Sequence, residues 1–272
     1  MRKYIAPLLI VWLLVSFSGV SASGLKGKLA IGGRGGLCLP IGAFADKGSF
    51  STSFSDSMFG PDMKEVGNAK PGFGIGVNVE YYVTDYIGIG GYLDYQMIGM
   101  DVDKMKKTWD DSVQKYLPPG YSLSTELEGN HRITRFGLFG KLLKPVTPAI
   151  SPYLRFGVGM ARLKSKVDMS ATLSSGTSSS GTLAVNGNRE SGMKFCFDVG
   201  GGVLFVLSKN VGITAELLYT HLAIKKSDGA VNMTLMADGR AIRRNTVKDE
   251  FDFNADRIDM YLGITVMFGV VR

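Results

Sequence analysis

Apolar and polar residues alternate along a glycine-rich segment, residues 73–83, with the period of a β-strand. The odd positions are all apolar: Phe73, Ile75, Val77, Val79, Tyr81 and Val83. The even positions are mostly small, polar or ionic: Gly74, Gly76, Asn78, Glu80 and Tyr82. Successive side chains of a strand point to opposite faces, so this strand has one apolar face and one charged face. The same two-faced pattern returns in most of the other glycine-rich segments.

The alternating pattern predicts eight strands. They span residues 28–41, 73–83, 86–97, 132–143, 153–163, 194–207, 211–223 and 257–268. Each strand is close to the length of about 9–11 residues that a tilted strand needs to cross a bilayer, or somewhat longer. Glycine weakens the interior of a soluble strand, but it suits the tight curvature of a small barrel.

The connections between these strands alternate between long and short. The long ones are residues 43–72, 98–131, 164–193 and 224–256, and the short ones are 84–85, 144–152 and 208–210. Long extracellular loops that alternate with short periplasmic turns are typical of outer-membrane barrels. The sequence therefore predicts an all-β fold, an eight-stranded antiparallel transmembrane β-barrel with long extracellular loops and short periplasmic turns. A soluble sheet with its apolar faces inward is the alternative.

The N-terminus has the features of a secretory signal peptide. Arg2 and Lys3 precede an apolar run over residues 5–15, and small residues at 20–22 supply a cleavage site. Removal of Arg2 and Lys3 would change the formal net charge from +7 to +5. Residues 1–22 are thus predicted to be a cleaved signal peptide, and residues 23–272 to be an outer-membrane β-barrel domain of a bacterium. An uncleaved N-terminal anchor is the alternative.

Charged residues fall on the face opposite the apolar stripe in every predicted strand. These residues are Arg34, Glu80, Asp94, Arg135, Lys141, Arg155, Asp198, Glu216, Arg257 and Asp259. The interior of an eight-stranded barrel is only wide enough for its side chains to fill. Five bases and five acids that converge there must pair, because an unpaired buried charge is very costly. The sequence therefore predicts a structural network of charges in the lumen, unless these residues face water on a soluble sheet.

Other chemically suggestive residues do not assemble into a predicted site. The glycine-rich stretch 32–36 lies within a strand and lacks the following helix that a phosphate loop needs. Cys38 and Cys196 lie on strands whose backbones would stand on the order of 15 Å apart, so we expect free thiols. A disulfide between these two exported cysteines is the alternative. His131 and His221 do not form a metal-binding cluster in the sequence. We expect no metal, no cofactor and no catalytic residue. A lipid-modifying enzyme is the alternative, because His221 lies on the outward face.

The long loops contain the candidate binding residues. Near-helical spacing of apolar residues predicts a short helix within 101–117, and residues 170–192 are rich in serine and glycine and should be mobile. An Asp-Gly pair within 230–247 predicts a hairpin that extends the last two strands beyond the membrane. Five basic residues suit contact with lipopolysaccharide phosphates or acidic polymers, or form a solvated loop: Lys225, Lys226, Arg240, Arg243 and Arg244.

The chain resembles the small eight-stranded outer-membrane β-barrel family of the OmpA-transmembrane, OmpX and OmpW type. The resemblance rests on the signal peptide, the hairpin YYVTDY at residues 81–86 and the closing strand MYLGITVMF at residues 260–268. In this family an aromatic residue near the C-terminus helps the barrel assembly machinery recognise the last strand. The resemblance implies that role for Phe268, which four residues follow here.

These features together predict a non-enzymatic outer-membrane surface barrel, structural or adhesive, with extracellular loops as its interaction surface and a salt-bridged lumen. A narrow conduit for small or hydrophobic molecules, as in the OmpW-like branch, is the alternative. The expected partners are outer-membrane lipid, lipopolysaccharide and the barrel assembly machinery, together with host or matrix surface ligands. We expect a monomer that does not bind nucleic acid.

Overall fold

The fold is known from a computed structural model that describes residues 24–46, 68–115, 117, 119–175, 180–237 and 240–269. The predicted signal peptide and most of the predicted loop 43–72 lie outside these residues. The strands are β1 (Lys28–Ile41), β2 (Ala69–Tyr82), β3 (Ile87–Met100), β4 (Tyr121–Leu143), β5 (Ile150–Ser175), β6 (Ser180–Glu190), β7 (Lys194–Val206), β8 (Val211–Ala237), β9 (Arg240–Asn254) and β10 (Asp256–Gly269). A short 3-10 helix spans Gly42–Phe44, and helix α1 spans Asp103–Gln114.

Eight of the strands close into an antiparallel ring. Its order is β1-β2-β3-β4-β5-β7-β8-β10, and β10 pairs with β1 to complete the circle. The closing pair runs in unbroken register from Lys28↔Gly269 to Ile41↔Asp256. The predicted eight-stranded antiparallel barrel is therefore confirmed.

The apolar face of each ring strand points outward. In β2, Val79 is 47 % exposed, whereas the adjacent Glu80 is 1 % exposed. Large apolar residues are exposed around the ring, among them Ile31, Ile75, Leu93, Leu138, Phe156, Phe195, Leu217 and Leu262. The soluble alternative, with its apolar faces inward, is wrong. A closed ring with an apolar exterior pairs its backbone groups within the sheet, as hydrocarbon requires.

Short turns join the strands at the periplasmic end. Between β2 and β3 the Thr84 hydroxyl accepts hydrogen bonds from the backbone N–H groups of Tyr86 (3.1 Å) and Ile87 (3.0 Å). Between β7 and β8 the N–H of Leu207 donates to the carbonyl of Val211 at 2.9 Å. The predicted short turns are confirmed, although the first of them comprises the four residues 83–86 rather than two.

The prediction of long loops at the extracellular end is partly wrong, because much of the predicted loop sequence forms strands. Strands β4, β5 and β8 continue past the ring, and β6 and β9 are additional strands. Together they form a five-stranded extracellular sheet in the order β4-β5-β6-β8-β9, which we call the outer sheet. No helix within the described segments is both long enough and apolar enough to cross a membrane.

The outer sheet forms because its strands bury an apolar face, although their serine-rich composition does not indicate one. Met169, Ala171 and Val185 are buried, and Leu123 and Leu127 pack against them. Serine and threonine pair across the strands, as between the hydroxyls of Ser122 and Ser174 at 2.8 Å. The prediction of a mobile loop over 170–192 is therefore wrong for residues 170–175 and 180–190.

Two other local predictions are confirmed. The predicted helix within 101–117 is α1, and Lys70 contacts both Asp101 (3.5 Å) and Asp103 (3.6 Å) beside its first turn. Strands β8 and β9 pair from Ala223↔Asn254 to Ala237↔Arg240, as the predicted hairpin requires, and the Asp-Gly pair itself lies outside the described residues. The last two ring strands therefore extend beyond the membrane as a hairpin, because β9 and β10 lie end to end along β8.

Candidate functional site

All ten charged residues predicted for the lumen lie inside the ring, and none is more than 7 % exposed. They come from all eight ring strands: Arg34, Glu80, Asp94, Arg135, Lys141, Arg155, Asp198, Glu216, Arg257 and Asp259. Strand alternation alone places them there, because the apolar stripe of each strand points outward and the intervening positions point inward. Their number and burial make the lumen the chemically most distinctive part of the molecule.

Asp94 in β3 is held by two arginines at once. Its Oδ2 atom accepts hydrogen bonds from Arg34 Nη2 at 2.8 Å and from Arg135 Nε at 2.7 Å. Arg34 also reaches Oδ1 with its Nε atom at 3.1 Å and its Nη2 atom at 2.9 Å, which makes a forked pair. Such bidentate, charge-assisted bonds fix the guanidinium plane as well as the distance.

Glu216 in β8 forms a second centre nearer the periplasmic end. Arg34 Nη1 lies 2.6 Å from Glu216 Oε2, and Arg155 Nη1 lies 3.2 Å from the same oxygen. The Tyr153 hydroxyl donates to Glu216 Oε1 at 2.8 Å, and Lys141 Nζ lies 3.8 Å from that atom. Glu216 therefore has three cations and one neutral donor around a single carboxylate.

Asp259 in β10 anchors the extracellular side of the network. Arg257 Nε lies 3.3 Å from Asp259 Oδ1, and Arg135 Nη2 lies 3.3 Å from Oδ2. The Thr220 hydroxyl donates to the same Oδ2 at 2.9 Å and accepts from Arg135 Nη1 at 2.9 Å. The Thr220 hydroxyl therefore bridges Arg135 and Asp259 by two hydrogen bonds.

The remaining acids complete one continuous network. Lys141 Nζ lies 2.8 Å from Glu80 Oε2, and Arg155 Nε lies 3.3 Å from Asp198 Oδ1. Since Arg34, Arg135 and Arg155 each contact two or more acids, all ten residues are linked through shared partners. The five positive and five negative charges balance within the described lumen.

Aromatic rings separate the arginines inside the lumen, and the sequence predictions omitted them. The Tyr92 ring lies 5.3 Å from Arg135 Cζ and 5.2 Å from Arg155 Cζ, and the Phe139 ring lies 4.2 Å from the latter. The Tyr261 ring lies 4.6 Å from Arg34 Cζ. These cation–π contacts stabilise guanidinium groups that hydrogen bonds only partly satisfy. The parity of Tyr92 with Asp94 could have identified it as inward-facing.

Apolar layers close the lumen above and below the charges. The outer layer contains Cys38, Phe44, Ile98, Ile133, Leu163, Cys196, Leu222 and Ile224. The periplasmic layer contains Leu25, Ala30, Tyr82, Leu143, Tyr153, Leu204 and Met267. Phe44 enters from the 3-10 helix and packs 5.1 Å from the His131 ring. Asp85 Oδ1 accepts from the Leu25 N–H at 2.6 Å, which holds the segment before β1 across the barrel end.

The cysteines and histidines occupy separate positions. Cys38 and Cys196 are buried free thiols. His131 Nδ1 lies 2.6 Å from the Ser165 hydroxyl in the interior, whereas His221 Nδ1 lies 2.6 Å from Asp256 Oδ1 on a partly exposed part of the wall. The sequence predictions did not include this carboxylate partner. In the described part of the chain, no three His, Cys, Asp or Glu residues are placed to hold a metal ion.

The predicted surface residues lie on the outer sheet and the last strand. Lys225 and Lys226 belong to β8, and Arg240, Arg243 and Arg244 to β9. Arg240 and Arg243 are exposed, whereas the side chains of Lys225, Lys226 and Arg244 lie outside the described part of the structure. Phe268 is 49 % exposed on β10, where it pairs with Leu29.

One protein family and several solved structures are similar to this chain. The family model of the outer membrane protein beta-barrel domain matches residues 13–242, and no curated protein sequence matches significantly. The fold is similar to Neisserial surface protein A, with 14 % identity over 89 % of this chain and 98 % of that one (TM-score 0.40). It is similar to OprG from Pseudomonas aeruginosa, with 13 % identity over 92 % and 100 % (TM-score 0.45). It is also similar to a major outer membrane protein from Thermus thermophilus, with 10 % identity over 89 % and 99 % (TM-score 0.42).

Proposed function

The chain belongs to the outer membrane protein beta-barrel family and is a small barrel of the bacterial outer membrane, and we propose that it is a non-enzymatic surface barrel with a structural or adhesive role. The observation that carries this proposal is the filled lumen. Ten buried charges pair across the ring, and apolar layers lie on both sides of them. A barrel of this width has no room for an aqueous channel beside such side chains.

The outer sheet, rather than flexible loops, is the proposed interaction surface. Five paired strands hold its side chains in fixed positions, which favours specific recognition because little conformational entropy is lost on binding. Arg240 and Arg243 are exposed on β9 at one edge. Glu126 and Glu128 are exposed on β4 at the opposite edge. The basic edge suits lipopolysaccharide phosphates or acidic polymers of a host or matrix surface.

Biogenesis follows from the same assignment. We propose that residues 1–22 direct export and are removed, and that Phe268 serves the barrel assembly machinery as an aromatic near the end of the closing strand. The exposure of Phe268 on the lipid-facing side of β10 supports this role. The His221–Asp256 pair does not change the non-enzymatic proposal. The described partners of His221 are Asp256 and the Phe197 ring, neither of which supplies a hydroxyl or thiol nucleophile.

Trimming the basic hairpin tests the adhesive proposal. Replacing residues 230–248 by a two-residue turn would join Gly229 to Asp249, which are paired in register. We expect the barrel to stay folded and heat-modifiable on a gel, because β8 pairs with β7 and β10 through residues 211–222. Binding to lipopolysaccharide or acidic polymer, measured by surface plasmon resonance, should fall at least tenfold.

The matched control shortens the neighbouring hairpin without removing charge. The pairing of β5 with β6 ends at Ser174↔Ser180, and residues 173–181 of the sequence contain no charged residue. Their replacement by a short turn should leave the anion binding close to that of the wild type. If the trimmed β8–β9 variant folds and binds as well as the wild type, the outer sheet does not mediate adhesion to anionic surfaces.

A conduit for hydrophobic molecules is the second candidate, and the outer apolar layer favours it. This layer lies just inside the extracellular end of the ring, where an entering apolar molecule would first meet the interior. The filled lumen predicts no discrete conductance steps when the wild-type protein is refolded into a planar bilayer. Regular openings of defined size would instead favour the conduit, and would contradict the lumen as a permanent plug.

A further inference from the structure

The lipid-facing surface of the described barrel contains an apolar hollow that the proposed surface role does not use. It crosses β1 to β4 in the periplasmic half of the barrel and has a volume of about 520 Å³. The outward side chains of Val79, Ile89 and Leu138 form its walls. Gly90 and Gly91 form part of its floor, and Phe139 also lines it.

The hollow exists because Gly91 occupies an outward position without a side chain. Its neighbours on the same face are large: Ile89 is 52 % exposed and Leu93 is 51 % exposed. An added Cβ at Gly91 would meet only the Gly137 carbonyl oxygen at 3.5 Å and a Leu138 methyl at 3.9 Å, both ordinary contacts. Backbone crowding therefore does not require glycine here, and a larger residue would fill the hollow without distorting the strand.

We propose that this hollow is a binding site for one acyl chain of a phospholipid in the periplasmic leaflet. The hollow is continuous with the lipid-facing band, so hydrocarbon is the only solvent that reaches it. Its volume lies within the range of about 300–1,000 Å³ that is typical of sites for small ligands. A chain lying in a concave surface gains dispersion contacts on several sides, whereas a flat wall contacts it on one side.

The height of the hollow assigns it to the periplasmic leaflet. Tyr81 and Leu29 line its lower part, and they lie close to the short turn at residues 83–86. The lining contains no charged side chain, so recognition is by the hydrocarbon chain and not by the headgroup. Retention of the lipid should accordingly be the same for phosphatidylethanolamine and phosphatidylglycerol with identical chains.

The test compares two glycine variants of the refolded barrel by native mass spectrometry. The protein is folded with dimyristoyl phosphatidylethanolamine, transferred to mild detergent, and the bound phospholipid is counted. Gly91→Leu fills the hollow, and we expect retention of one phospholipid to fall about tenfold. A tenfold fall in retention corresponds to a loss of about 1.4 kcal/mol in binding free energy, or roughly that of two buried methylene groups.

Gly33→Leu is the matched control, because Gly33 also faces outward and an added Cβ has nothing within 4 Å. This variant should retain the phospholipid as the wild type does. Heat modifiability on a gel shows whether each variant folds. If Gly91→Leu does not fold, Gly91→Ala is tested instead, with Gly33→Ala as its control. We then expect phospholipid retention by Gly91→Ala to fall twofold to threefold.

Three results would overturn the proposal. Equal retention by wild type and the Gly91 variant would show that the hollow does not hold the lipid. A strong preference for one headgroup would assign the bound lipid to a polar site elsewhere. A wild-type dimer that Gly91→Leu converts to monomer would assign the hollow to a second copy of the chain.

Discussion

Replacing Arg135 with alanine is expected to lower the free energy of unfolding by about 3–5 kcal/mol. Arg135 is fully buried and contacts Asp94 at 2.7 Å, Asp259 at 3.3 Å and Asp198 at 3.9 Å. Its removal leaves four bases against five acids in a space without bulk water, so one carboxylate loses its counter-charge. Unfolding of the refolded barrel in urea, followed by heat modifiability on a gel, measures the change.

An exposed arginine pair provides the control for this variant. Arg162 on β5 pairs with Glu190 on β6, and both side chains are more than 40 % exposed. Arg162→Ala should therefore cost no more than about 1 kcal/mol, because water replaces the lost partner. An Arg135→Ala barrel that is as stable as the Arg162→Ala barrel would show that the lumen charges are not tightly coupled.

Valine in place of Gly137 is expected to destabilise the barrel by about 1–3 kcal/mol, or to prevent its closure. Gly137 faces Gly159 in register across β4 and β5, and the Tyr92 hydroxyl lies close to both. An added Cβ would meet the Val158 carbonyl oxygen and the Gly159 backbone, with the Tyr92 hydroxyl at 2.9 Å. Tyr92 would have to move, and it would lose its contacts with Arg135 and Arg155. Urea unfolding reports the loss of stability.

Gly140 on the same strand distinguishes crowding from the general effect of a branched side chain. An added Cβ at Gly140 meets nothing within 4 Å. Gly140→Val should therefore leave stability unchanged or raise it slightly, because valine favours strands. If both glycine variants were equally unstable, crowding beneath Tyr92 would not be the cause.

The interior charges could be predicted from the sequence because a strand has a period of two. Once Val79 is assigned to the outside, Glu80 must lie inside, and the same reasoning applies to Asp94 and Arg155. The prediction of eight ring strands follows from the same alternation. The register between β1 and β10 could not be predicted, because it depends on closure of the whole ring.

Apart from the β8–β9 hairpin, the outer sheet could not be predicted, because its strands are short of apolar residues. Residues 170–192 contain many serines and glycines, which composition assigns to loops. Their alternation at Met169, Ala171 and Val185 becomes meaningful only when a partner strand covers the face. Local sequence carries little of that information, since the pairing of β6 with β8 joins residues about 50 positions apart, as in Thr182↔Met236.

The sequence by itself determined which face of each strand meets lipid and which charged residues lie in the interior, since alternation is a local property of the chain. The tertiary structure alone decided which charges meet. Arg34 contacts Asp94, 60 residues away, and Glu216, 182 residues away. Ring closure and stagger bring these atoms together, and no local pattern encodes either. The pairing of β2, β3 and β4 likewise places Gly91 among large lipid-facing neighbours from other strands, which is why the hollow is visible only in the folded barrel.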